Sequence, residues 1–377
     1  MRPMNDNRPL WDDHAWQGLP KLEGTLDADV VVVGLGGSGL SAVLEGLDLG
    51  QRVVGLDAGI VAGGAAGRNG GFLMAGVARF YHDAVQGFGH GRAKAMYALT
   101  VQELERSAAL TPQAIRRTGS LRVASDTAEL EDCRAMLEAL KADGFAAEPY
   151  TGLEGEGVLI PTDAAMNPLL RCRLLAGRAL EGGAQLFEHS RVTHLEPGAV
   201  HGDGFTVRAD HVVVCVDGKL ERVFPSLEGR VRTARLQMIG TAPTREIHLE
   251  RPVYARWGYE YWQQLPDGRV VLGGFRDAEL EDEWTVDDAP SASQQTRLET
   301  FMRERIGVHA PITHRWAASV AYTQDGLPVL EQVQPSVWAV GAYSGTGNVV
   351  GALCGRATVQ RAVTGRSDVY DVFTNNS

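Results

Sequence analysis

Cysteine is sparse in this chain and scattered: Cys133, Cys172, Cys215 and Cys354 form no Cys-x-x-Cys pair. That spacing leaves no basis for a zinc site or a disulfide framework. The ten histidines include no His-x-x-x-His pair, and no Gly-x-Ser-x-Gly elbow occurs, so neither a zinc protease nor a serine hydrolase is indicated. No apolar run approaches the ~20 residues of a membrane span. Positive charge is also short. The formal net charge of −11 argues against a nucleic-acid surface, which needs a basic face to neutralise phosphates. Residues 1–16 are polar, carry three acids and a histidine, and do not resemble a signal peptide, so a cytoplasmic location is the expectation.

What is present is an ordinary globular composition, 44% hydrophobic and 22% charged over 377 residues. At roughly 100–200 residues per domain, that length predicts two domains and a core able to enclose a cofactor. The first 25 or so residues lack periodicity and read as a surface arm. Residues 30–33 are all valine, the pattern of a strand buried on both faces of a parallel sheet. Leu40, Val43, Leu44 and Leu47 then mark one face of a helix, and 53–56 a second strand. Farther along, helices are predicted near 91–117, 128–142, 168–182, 291–306 and 348–363. Strands are predicted near 120–124, 192–195, 211–216 and 337–340. Pro266-Asp267-Gly268 predicts a hairpin between 259–265 and 269–274.

Between the first strand and helix, Gly34-Leu35-Gly36-Gly37-Ser38-Gly39 matches Gly-x-Gly-x-x-Gly. The first glycine permits a tight turn, the second lets backbone approach a pyrophosphate, and the third lets helix pack on strand. The helix N-terminus then offers free N–H groups and the positive end of its dipole. Asp57, eighteen residues after Gly39, ends the second strand where a carboxylate can accept a ribose hydroxyl. These features predict a bound dinucleotide. NAD and FAD both fit them; the acid argues only against NADP.

Four segments extend the reading. They are VVVVGLGGSGL with VVGLDAG (30–40 and 53–59), GGAAGRNGGFL (63–73), PTDAAMNPLL (161–170), and WAASVAYTQDGLPVL with VWAVGAYSGTGNVVGALCGR (316–356). Together they resemble the D-amino-acid oxidase superfamily of FAD-dependent oxidoreductases, and within it the glycine/sarcosine oxidase and γ-glutamylputrescine oxidase branch. The resemblance implies an α/β fold: a Rossmann-type FAD-binding domain with a discontinuous α+β substrate domain built on an antiparallel sheet. The FAD-binding domain would take residues 1–84, 151–226 and 311–377, and the substrate domain 85–150 and 227–310. It further implies that Gly34, Gly36, Gly37, Ser38 and Gly39 cradle the pyrophosphate of non-covalently bound FAD. Asp57 and Ala58 would meet the adenosine ribose, and Val192 the adenine. Arg68, Asn69, Gly70 and Gly71 would line the isoalloxazine; Gly341, Gly345, Thr346, Gly347 and Asn348 would serve its N1–C2=O edge.

The sequence also departs from that pattern. Val320 stands where amino-acid-oxidising relatives place an arginine for the substrate carboxylate, which leaves Arg256 or Arg235 as candidate cations. Tyr261 matches the active-site tyrosine of relatives by register from the turn, with a plain core aromatic as the alternative. Glu260, on the opposite face by alternation, is either a partner for a substrate ammonium or a solvent-facing charge. Arg68 and Tyr343 complete the catalytic candidates, against readings as a surface ion pair and a buried aromatic. Only four lysines occur, none in a flavin segment, so O₂ or another acceptor could take the electrons. The expected reaction is oxidation of a small amine or amino acid at the carbon next to nitrogen, by hydride transfer to flavin N5, giving an imine. A 2-hydroxy-acid or alcohol dehydrogenase and a non-catalytic flavin-binding redox protein are the alternatives.

Overall fold

Valine-rich strands with no polar face must be covered on both sides, and the computed structural model, which describes residues 7–374, places them in one such sheet. Gly24–Val33 runs parallel to Val53–Leu56 on one side and to Phe205–Cys215 on the other. Gln185–Phe187 and Val337–Gly341 extend the parallel set outward. Helices Gly37–Asp48, Pro168–Glu181 and Ala352–Thr364 bury Leu40, Val43, Leu175, Leu353 and Val359 against one face. Asn167 caps the middle helix, its side chain accepting the Leu170 N–H at 3.0 Å, with Pro168 as the first helical residue.

A second, eight-stranded sheet is largely antiparallel. Its order is Ile312–Thr323, Val231–Thr241, Val270–Gly274, Glu260–Gln264, Val253–Ala255, Ser120–Val123, Gly155–Ile160 and Glu148–Gly152. The hairpin forms where Pro266-Asp267-Gly268 predicts it. One face of this sheet packs Trp262, Leu272 and Ile239 on Leu298 and Met302 of helix Ala292–Glu304. By register the opposite face carries Tyr261, Met238, Trp316, Leu236, Ala318 and Val320. That face looks toward the parallel sheet.

Sheet membership cuts across the domain ranges proposed from the sequence. Glu148–Ile160 and Ile312–Thr323, assigned by sequence mostly to the cofactor domain, lie in the antiparallel sheet. Strand patterning reports burial, not which of two neighbouring sheets a strand joins, and so it could not place them. The opening arm is not superficial in its described part: Leu10 is 2% exposed and Trp11 4%. Leu10 packs at Gly240 and Trp11 at Gly71, contacts distant in sequence that no periodicity announces.

Candidate active site

Strand Gly24–Val33 ends in a turn that only glycines can make. Gly34 has φ +98°, and a Cβ on Gly39 would fall 1.8 Å from the Gly34 carbonyl oxygen. The helix therefore starts hard against the strand. Gly36 is its N-cap, extended and without a side-chain cap, so the first-turn N–H groups are unclaimed by protein side chains. At the end of the second strand Asp57 accepts the N–H groups of Leu35 and Gly59, both at 2.8 Å. Burial pushes its carboxyl upward in pKa, and those two bonds oppose the rise.

A cavity of about 1040 Å³ begins at this turn. That exceeds the space a small amine needs and suits an extended dinucleotide. Gly34, Gly36, Gly37, Ser38, Asp57, Ala58 and Val192 line one end, and Arg68, Asn69, Gly345, Gly347 and Asn348 the other. An uncapped helix start, a carboxylate and close glycines at one end are the features FAD needs for its diphosphate and ribose, so the residues present fit the cofactor. Gly39, Gly70, Gly71, Gly341 and Thr346 lie outside the lining and shape the turns. A Cβ on Gly341 would come 2.3 Å from the Val216 carbonyl oxygen, while Thr346 turns its hydroxyl onto the Tyr343 carbonyl at 2.7 Å.

The two glycine-rich segments meet through their asparagines. Asn348 donates to Asn69 Oδ1 at 3.0 Å and to the Phe72 carbonyl at 2.8 Å, and Asn69 donates back to Asn348 Oδ1 at 3.2 Å. Asn69 also accepts the Gly71 N–H at 2.9 Å, which holds the loop in shape. Removing the Asn348 amide takes the cross-segment bonds from Asn69 and the Phe72 carbonyl, leaving Asn69 tied only to its own loop. An Asn348→Ala variant is expected to lose about 1–3 kcal/mol and to release FAD roughly tenfold more readily, as read by equilibrium titration of apoprotein with FAD.

Sequence reasoning missed the arm's part in this loop. Trp11 donates its indole N–H to the Asn69 carbonyl at 2.9 Å. Arg68 is held from three sides: its Nε donates to the Ala317 carbonyl at 2.8 Å, and its guanidinium also meets the Asn7 side chain at 2.5 Å and the Asn7 carbonyl. Burial pushes its pKa down, with Asp288 opposing. It therefore lines the cavity as a cation anchored by neutral oxygens, not as a surface ion pair. Asp217 was missed as well. It lines the cavity, accepts the Tyr343 N–H at 3.0 Å, and is pushed by burial up to about 7. Lys219 also lines the cavity, 3.4 Å from Asp288, although no lysine was expected in a flavin segment.

The remaining catalytic candidates separate. Tyr261 lies on the cavity side of the large sheet, its ring closing over Gly70 and Gly273, where a Cβ would come within 2.9 and 2.4 Å of it. Tyr343 instead wedges beneath the C-terminal turn, 3.0 Å from a Cβ on Gly347 and 3.2 Å from one on Gly351. Its hydroxyl is buried beside Ser38 and Cys215, and Tyr343 also lines the cavity. Glu260 is neither of the things the sequence suggested. It is 4% exposed, yet it lies on the face away from the cavity, 3.1 Å from Arg256. Arg256 is also paired with Asp277, and Arg235, on that same far face, makes two 3.0 Å bonds to Glu283. Both arginines are thus neutralised by carboxylates. Alternation identified the face of each residue correctly but not which face the cofactor cavity occupies.

Burial raises the Glu260 carboxyl from 4.5 to about 7, with Arg256 opposing the rise. The folded protein then holds a proton between those values that the unfolded chain has already released. Stability from this group is lost as pH rises through that window and levels off above it. Melting of wild type and Glu260→Gln at pH 5 and pH 8 should show the variant gaining up to about 3 kcal/mol relative to wild type at the higher pH. A pH-independent difference would contradict the assignment.

Comparison with known proteins adds to the geometry. The family model described as FAD dependent oxidoreductase matches residues 29–361. The chain is 26% identical over 357 residues to gamma-glutamylputrescine oxidoreductase of Escherichia coli (strain K12), covering 86% of this chain and 81% of that protein. It is 25% identical over 357 residues to the probable oxidoreductase OrdL of Rhizobium meliloti (strain 1021), covering 87% and 81%. Among solved structures, glycine oxidase from Geobacillus kaustophilus superposes with a TM-score of 0.73 at 18% identity, over 91% of this chain and 96% of that one. At that identity the likeness speaks for the fold.

Proposed function

Because the chain belongs to the FAD dependent oxidoreductase family, we propose that it oxidises a small amine or amino acid at the carbon next to nitrogen, giving an imine that water hydrolyses. FAD, when bound, would supply the two-electron acceptor for that oxidation. The chain's own residues position the substrate and keep water away. The activity for which the Escherichia coli relative is named supports an amine substrate.

One observation carries this reading. On the sheet face turned toward the cavity, Leu236, Met238, Tyr261, Trp316, Ala318 and Val320 supply no base. His314 stands on that face only at the start of its strand, and Asp217, Lys219 and Asp288 line the cavity from outside the sheet. Oxidation of an alcohol needs a base to take the hydroxyl proton. A neutral amine needs none, since its nitrogen lone pair assists the departure of hydride. Activity should therefore rise with pH as the amine loses its proton, roughly tenfold per unit below the amine's own pKa.

The test is anaerobic mixing of the FAD-loaded protein with amines, amino acids and 2-hydroxy acids while the flavin absorbance is followed. Bleaching by amines or amino acids, faster at higher pH, supports the reading. Bleaching by hydroxy acids alone would replace it with an alcohol dehydrogenase.

A further inference from the structure

Several arginines of the large sheet are closed off by acids. Arg235 meets Glu283 at 3.0 Å, Arg256 meets Glu260 at 3.1 Å, and Arg232 meets Glu281 at 3.5 Å. Arg276 has no carboxylate within ion-pair reach among the described residues, and its Nη1 is buried without a hydrogen-bond partner. A buried donor left unanswered costs about 1–3 kcal/mol, and more when it is charged.

Three aromatic rings surround this guanidinium. Its carbon lies 4.5 Å from the ring centre of Tyr322, 4.7 Å from Trp284 and 5.8 Å from Tyr259. Trp284 meets Tyr322 edge-on at 5.7 Å. Ring faces hold a cation without satisfying its N–H groups, so the box fixes Arg276 in place and leaves Nη1 unanswered.

The box adjoins the cavity. Tyr322 follows Ala318 and Val320 at alternate positions of one strand, and both of those residues line the cavity. The Tyr322 hydroxyl comes within 4.0 Å of where a Gly345 side chain would begin, at the flavin-edge turn. Burial pushes the Tyr322 hydroxyl up to about 12, and Arg276 is the first influence opposing that rise; it opposes the rise at Tyr261 too. Arg276 is therefore the cation shared by the two tyrosines that flank Gly70 and Gly345.

We propose that Arg276 binds an anionic group of the substrate, and that the substrate is accordingly an amine carrying a carboxylate, held between the rings of Tyr259, Trp284 and Tyr322. The assignment rests on the amine-oxidising reading for its role but is testable apart from it. A planar guanidinium offers a carboxylate two parallel N–H donors, geometry that an ammonium lacks.

The experiment measures equilibrium binding to the purified FAD-loaded protein, by calorimetry and by perturbation of the flavin spectrum. The probes are monocarboxylates from acetate to phenylacetate, each against its neutral amide. Wild type should bind the best carboxylate at least tenfold more tightly than the matching amide. Arg276→Met should bring carboxylate binding down to the level of the amide, a loss of about tenfold to a hundredfold, with FAD content and melting temperature unchanged. Arg276→Lys should fall between. No saturable carboxylate binding by wild type, or equal binding in Arg276→Met, overturns the proposal. If carboxylates bind through Arg276 but no amine or amino acid bleaches the flavin, the reaction assigned above fails and the anion site stands. If amines bleach the flavin while carboxylate binding ignores Arg276, the reaction stands and the anion site fails.

Discussion

Gly36→Asp should fold as wild type does and carry no FAD. Gly36 is the N-cap of helix Gly37–Asp48, with φ −83° and ψ −171°, a conformation open to any residue. Aspartate is among the best N-cap residues, so helix stability should change by only a few tenths of a kcal/mol, in the favourable direction. The steric cost is modest, because a Cβ there would sit 3.1 Å from the Ala66 Cβ and asks that methyl to give slightly. The new carboxylate, however, occupies the uncapped N–H groups and brings negative charge to the place where a diphosphate must bind. Two like charges about 4 Å apart at a partly buried site repel by about 4 kcal/mol, which is about a thousandfold in affinity. Circular dichroism should match wild type and melting should match the wild-type apoprotein, while the purified variant is colourless. Retained FAD would show that this turn is not the diphosphate site.

Trp11→Ala should destabilise the protein by about 3–5 kcal/mol, the range for emptying a buried indole pocket. Trp11 is 4% exposed, and its ring lies 3.2 Å from where a Gly71 side chain would start. Its indole N–H also satisfies the Asn69 carbonyl at 2.9 Å. Loss of the side chain therefore leaves a void and an unanswered carbonyl in the loop that faces the cofactor. Denaturant unfolding followed by tryptophan-independent circular dichroism measures the first effect, and FAD retention on gel filtration the second. Trp11→Phe separates them, since it keeps most of the packing while removing the donor. A change below about 1 kcal/mol in Trp11→Ala, far under the cost of an emptied core site, would mean that the arm lies on the surface after all.

The cofactor half of the site was the more legible. Gly34, Gly36, Gly39 and Asp57 carry their geometry in their identities: a positive φ, a close approach and a charge at a strand end are properties of single residues read in local order. The helix caps at Asn167 and the Pro266-Asp267-Gly268 turn were legible for the same reason. The substrate half depends on contacts distant in sequence, and there the reading was weaker. Strand alternation put Tyr261 and Glu260 on opposite faces but could not tell that Glu260 faces helix Ala292–Glu304 and Arg256. Nor could it tell that Arg235 is tied to Glu283, since the two lie 48 residues apart. Trp11 and Asn7 reach the 63–72 loop from outside any periodic element. Arg276 follows Phe275, whose φ of +63° takes the chain out of the strand, so alternation said nothing of where its side chain goes.

Both glycine turns border one cavity built for FAD, and the FAD content of the purified protein tests that most directly. One FAD per chain is expected, released intact by acid precipitation and restored when the apoprotein is mixed with FAD. A colourless protein that takes up no FAD on reconstitution would contradict it.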